Sequence, residues 1–134
     1  MTKTKTLAYW TTTAIVTAEL VAGGVLDLAH ASSVVSGLEQ LGYPTYLLSI
    51  LGIWRLLAAA ALLAPGLPRL KEWAYAGAFF ELTGAALSSL AKGHSVGSVA
   101  TPCILAAFAV ASWALRPQSR MLGAISLPGS TRRR

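Results

Sequence analysis

The sequence predicts an all-α integral membrane protein, a four-helix bundle with a short interfacial helix between helices 1 and 2. Three observations carry this. Hydrophobic residues make up 54% of the 134 and charged residues 12%, about half the charged share of a soluble domain and too little to cover a water-facing surface. Apolar residues gather into four runs, at about 7–29, 45–64, 72–91 and 96–115, each close to the ~20 residues that cross a ~30 Å hydrocarbon core. Basic residues favour alternate loops. The runs are continuous rather than alternating, which excludes a β-barrel, and lipid offers no partner for free backbone groups, so helices are the spanning form.

The first run follows Lys3 and Lys5. With Ala29-His30-Ala31 it imitates a secretory leader, but its length and Glu19 within it favour a span. Between the first two runs, Val34, Val35, Leu38 and Leu41 fall at helical spacing opposite Ser36, Glu39 and Gln40, the pattern of an amphipathic helix lying at the interface. Gly42-Tyr43-Pro44 turns the chain back. Pro65-Gly66 with Pro68 ends the second run, Gly93 the third and Pro117 the fourth. Pro102 marks a kink or a start in the fourth helix. Residues 1–117 form the transmembrane domain, and 118–134, polar and basic, a disordered tail.

The N-terminus, the second loop and the C-terminus together hold nine Lys/Arg, against Lys92 alone in the first and third loops. The positive-inside rule places both termini in the cytoplasm, and a bacterial inner membrane is the expected location. Trp10, Trp73 and Trp113 belong at that interface, Tyr43 and Tyr46 at the other. No basic face is interleaved with exposed aromatics, so nucleic acid is not an expected partner. The lipid bilayer is, with other redox or membrane proteins and a second copy of the chain as further candidates. Cys103 is the single cysteine, read as a small core residue, and no metal-ligand spacing is present.

Three charges have no place in an apolar span. Glu19, Arg55 and Glu81 lie near the middle of the first, second and third runs, where an ionisable group costs at least ~2.5–3.5 kcal/mol on insertion scales. They are expected to face inward and converge. Glu19 shares a stripe with Gly23 and Asp27; Arg55 lies near Gly52 and Ser49; Glu81 sits between Gly77 and Gly84, with Ser88 beyond. Small residues beside the charges admit a close helix approach, water or a ligand. One arginine against two glutamates leaves an acid over, so one glutamate is neutral, or water or a cation reaches the site. Glu19, Glu81 and Arg55 are the candidate acid, base and anion-stabilising groups. Asp27, His30, Gly52, Trp54, Gly77, Gly84 and Ser88 are candidate ligand contacts. Asp27 and His30 form a weaker pair, read either as a proton relay or as a solvated helix end.

The stretch from Gly42 to Gly93 holds Leu41-Gly42-Tyr43-Pro44, Leu51-Gly52-Ile53-Trp54-Arg55, Ala64-Pro65-Gly66, Leu70-Lys71-Glu72-Trp73-Ala74-Tyr75-Ala76-Gly77 and Gly84-Ala85. On these residues it resembles the DoxX-like family of small four-helix membrane proteins. Arg55 stands where relatives often have Lys, and Ser89 where many have His. The resemblance implies a bundle of four helices and a membrane subunit of a redox system, quinone-linked sulfur oxidation and partnership with superoxide-detoxifying enzymes being represented in the wider group. A distant animal branch resembles assembly chaperones. The leading expectation is therefore a redox-associated subunit that binds a lipophilic small molecule, a quinone among the candidates, at the Glu/Arg/Glu cluster, with no covalently bound cofactor. A membrane enzyme working by acid–base chemistry on a lipophilic substrate (isomerisation, epoxide opening or cyclisation) and a scaffold or chaperone remain as alternatives.

Overall fold

The computed structural model describes residues 2–121. Among them there are five α-helices and no strand: α1 (Lys3–Leu28), α2 (Ser32–Gln40), α3 (Tyr46–Leu63), α4 (Pro68–Ala91) and α5 (Val96–Ala114), then a 3-10 turn at Gln118–Arg120. That turn opens the segment expected to be a disordered tail; the remainder of the expected tail lies outside the described residues. Each boundary has a local cause. The Thr2 hydroxyl accepts the Lys5 N–H at 3.2 Å, and Ser95 caps α5 by accepting from the Ser98 N–H, each satisfying an orphan donor of the first turn. Pro68 stands in the first turn of α4, where its missing N–H costs nothing. Gly42 (φ 85°) and Gly93 (φ 69°) turn the chain in the left-handed region, open to glycine without penalty. Pro102 lies within α5, which runs on through it.

Each long helix packs against two others, in the order α1, α3, α4, α5 and back to α1, and α2 leans on α1. Three of the four, α1, α3 and α5, are long and apolar enough to cross a membrane. The expectation of four such runs departs from the structure at α4, which opens on Arg69, Lys71 and Glu72, carries Glu81 at its centre, and is diluted by Gly77, Gly84, Ser88 and Ser89. Packing is inside-out relative to a water-soluble protein. The buried cluster is built of Val16, Leu20, Leu62 and Tyr75 with the small Ala59, Ala74, Ala78 and Ala109. The large apolar side chains Ile53, Leu57, Phe80, Leu87 and Ile104 point outward. Small residues between helices let dispersion and close backbone approach replace the hydrophobic drive that lipid does not supply. The closest approach joins α1 to α3. A Cβ on Gly52 would lie 2.9 Å from the Gly24 carbonyl oxygen, and one on Gly24 3.1 Å from that of Gly52.

Polar groups inside this packing are mostly paired. The Ser112 hydroxyl lies 2.7 Å from those of both Thr13 and Tyr75, tying α5 to α1 and α4. The Tyr9 and Thr17 hydroxyls are buried without a partner among the described residues. Ser112→Ala is expected to strand the Thr13 and Tyr75 hydroxyls and to destabilise the fold by about 1–3 kcal/mol, read as a lowered melting temperature in detergent. An unchanged melting temperature would show that those two hydroxyls re-pair elsewhere.

At the opposite end of α3 from Tyr46, the last carbonyls have no helical partner. The Lys71 ammonium, only 1% exposed, donates to the Ala61 oxygen at 2.6 Å and to that of Ala64. Arg120 donates through Nη1 to the Leu62 oxygen at 2.9 Å. Two cations thus close the negative end of the α3 dipole.

Cys103, expected in the core, is exposed on the outer face of α5, because its neighbours Ala106 and Ala109 take the inner face. In native membranes it should resist a charged maleimide, since lipid covers it, and react fully once the protein is denatured in detergent. Equal labelling before and after would place that face of α5 in water.

Candidate functional site

α3 carries Arg55 into the space between α1 and α4, and three carboxylates meet it there. Nε donates to Glu81 Oε1 at 2.6 Å, and Nη2 pairs with the same carboxylate. Nη1 lies 3.5 Å from Glu19 Oε1, and Nε lies 3.5 Å from Asp27 Oδ2. The local sequence explains the fit. Glu19, Gly23 and Asp27 recur at four-residue steps, so they rise along one face of α1. Gly23 supplies the clearance: Arg55 Nη1 occupies the space that a Cβ at position 23 would fill. The side chains of Arg55, Glu19 and Glu81 keep 18%, 20% and 22% of their exposure, so the cluster is open at one side. Asp27 is 4% exposed, and its Oδ2 is buried without a hydrogen bond among the described residues.

The three mid-run charges therefore converge. Asp27, for which a solvated helix end was one reading, is buried and joins them. One guanidinium faces three carboxylates rather than two. His30 Nε2 lies 3.0 Å from Ser49 Oγ on α3. Ser88 lies 2.8 Å from the Tyr43 hydroxyl, linking α4 to the turn before α3. Gly52 is packed against α1 and has no room for a ligand. Trp54, offered as a ligand contact, is 71% exposed. As the neighbour of Arg55 in sequence it points about 100° away around the helix, since 3.6 residues make a turn. Gly77 and Gly84 lie one turn either side of Glu81, and nothing stands within 4 Å of a Cβ built on either. Both are exposed on the surface of α4.

The DoxX-like family model matches residues 11–112, from the third turn of α1 to the last turn of α5. This chain belongs to the DoxX-like family. No curated protein and no solved structure matches it at a significant level. With three apolar helices able to cross a bilayer, this DoxX-like chain is a membrane protein. The matched stretch contains all four members of the Arg55 cluster.

A second charged group in this DoxX-like chain escaped the sequence reading. Arg116, 5% exposed, pairs with Glu72 across α4 and the end of α5. Trp113 Nε1 donates to Glu72 Oε2 at 2.8 Å, and the guanidinium stacks over the Tyr75 and Trp113 rings, 5.5 and 5.3 Å from their centroids. Beside it runs a shallow groove of about 210 Å³ lined by Tyr75, Phe79, Phe80, Val110 and Trp113. In sequence Trp113 and Arg116 carried only a topology signal, and Glu72 and Tyr75 only the family resemblance. The Glu72-Trp73-Ala74-Tyr75 stretch and Trp113-x-x-Arg116 spacing could have suggested a pairing of aromatic and cationic groups at helix ends.

Proposed function

We propose that this DoxX-like protein is a redox-associated subunit of a bacterial inner membrane that holds a small lipophilic molecule, a quinone in the first instance, in the opening beside Arg55. In this reading the chain crosses the membrane four times, α4 being carried by its partners despite its charges, and both termini lie in the cytoplasm. The observation that carries the reading is the Arg55 cluster itself. A guanidinium and three carboxylates are brought together from α1, α3 and α4 and remain partly open. A purely structural lock needs one acid for one arginine; intramembrane ionisable groups beyond that number mark ligand or proton sites.

The chemistry follows from which donors are free. Glu81 holds Nε and Nη2 of Arg55, so Nη1, loosely faced by Glu19, is the edge that can donate to a ligand oxygen. Glu19 then stands next to that oxygen as a proton-exchanging carboxyl. In this reading electrons come from a partner, since the sequence carries no haem, flavin or iron–sulfur motif. The second reading, an acid–base enzyme, is favoured by the same surplus of carboxylates, since acid and base side by side can serve proton transfer to a lipophilic substrate.

The test is binding of a short-chain quinone to purified protein in lipid nanodiscs, followed by tryptophan fluorescence. Saturable binding is expected, with affinity falling about tenfold, or ~1.4 kcal/mol, in Arg55→Lys, whose point charge cannot serve Glu81 and a ligand together. Absence of saturable binding by the unaltered protein would overturn the reading.

A further inference from the structure

We infer that the Arg55 site selects ligands whose polar head donates hydrogen bonds, a lipophilic hydroxy compound such as an alkylated dihydroxybenzene, over the matching carbonyl compound. This rests on the reading of the cluster as a ligand site and specifies what it takes.

The argument is a balance of donors and acceptors. With the three carboxylates ionised, the donors among the groups meeting at Arg55 all belong to the guanidinium, and two of its three nitrogens are committed to Glu81. Acceptors are in excess. Three carboxylates carry six oxygens, each able to accept more than once when ionised. The imbalance is sharpest at Asp27. Its Oδ2 is buried without a hydrogen bond, and the nearest cationic atom, Arg55 Nε, stands off at 3.5 Å because that N–H already donates to Glu81 at 2.6 Å. A buried acceptor left unmade is costly, and a charged one more so. His30 Nε2 lies 3.0 Å from Ser49 Oγ, and no described residue donates to Asp27 Oδ2.

A carbonyl ligand accepts only. It can take Arg55 Nη1 but leaves Asp27 as it is. A hydroxyl accepts from Nη1 and donates to a carboxylate, and a hydrogen bond to an ionised acceptor is shorter and roughly twice as strong as one between neutral groups. Asp27 is thus the residue that sets the preference, with Arg55 supplying affinity common to both ligands. The head enters where the side chains of Arg55, Glu19 and Glu81 keep 18%, 20% and 22% of their exposure.

The experiment compares a decyl-substituted benzoquinone with its dihydroxy form, kept reduced under anaerobic conditions, in titrations of the full chain in nanodiscs. The dihydroxy form is expected to bind about tenfold or more tighter, and Asp27→Asn, which adds a donor and removes the charge, is expected to bring the two within about threefold. Because the comparison is made first on the unaltered protein, it decides even if the variant does not fold. Equal or tighter binding of the quinone would overturn the donor preference while leaving the site standing, and would mean that Asp27 carries its own proton. Binding of neither compound would overturn both the preference and the reading it rests on.

Discussion

Arg55→Leu is expected to abolish the folded protein. Removing the one cation leaves Glu19, Asp27 and Glu81 facing one another between α1 and α4, and breaking a buried pair by deleting one partner costs about 3–5 kcal/mol. Here three acids lose the same partner. That is a large fraction of the ~5–15 kcal/mol by which a domain is stable, so the variant should accumulate poorly and show no cooperative melting by fluorescence-detected size exclusion. Arg55→Lys should fall between, because an ammonium lacks the fork that reaches Glu81 with two nitrogens. The decisive comparison is Arg55→Leu combined with Glu19→Gln, Asp27→Asn and Glu81→Gln. With the charges gone together, much of the lost stability should return. A single Arg55→Leu variant that melts with the parent would show that the cluster does not hold these helices.

The second large effect is expected at the contact of α1 with α3. A Cβ on Gly52 would stand 2.7 Å from Leu28 Cγ, 2.9 Å from the Gly24 oxygen and 3.1 Å from the Leu28 nitrogen. Two of these are backbone atoms of α1, which cannot rotate aside, so the helices must part. Overpacking of this kind costs about 1–3 kcal/mol for Gly52→Ala and more for Gly52→Leu. Parting α1 from α3 also draws Asp27 and Glu19 away from Arg55, so ligand affinity should fall with stability. Gly77→Ala is the control. A Cβ there meets nothing within 4 Å, and alanine outranks glycine in a helix by up to about 1 kcal/mol, so its melting temperature should hold or rise. Equal loss from both substitutions would mean that glycine matters here for helix flexibility rather than for contact.

The cluster was legible because charge in an apolar run has few explanations. Glu19, Arg55 and Glu81 stood at similar depths in three separate runs, and energetics then required them to meet. Asp27 was legible in part: its spacing from Glu19 and Gly23 put it on the right face, but its closeness to the end of α1 allowed water as an alternative. Only the packing of α3 against that last turn, through Gly52 and Leu28, closes that option, and no local pattern encodes which face of α3 arrives there. Trp54 and the glycines of α4 show the converse. Trp54 adjoins Arg55 in sequence, but adjacent residues on a helix diverge, and Gly77 and Gly84, though spaced one turn from Glu81, face outward. The basic residues at the helix ends were read from charge alone. That gave an orientation, but not that Lys71 and Arg116 would be almost wholly buried, since burial of a cation depends on carbonyls and carboxylates brought up from elsewhere in the chain.

The two cations closing the end of α3 also impose an order on biosynthesis. α3 leaves the ribosome before Lys71 exists and long before Arg120 does, so its terminal carbonyls at Ala61, Leu62 and Ala64 must first be satisfied by water at the membrane surface. The end of α3 is sealed only when Arg120, beyond α5, has been made. A chain released early, after Leu115, would keep every apolar run yet lack the guanidinium that completes the seal.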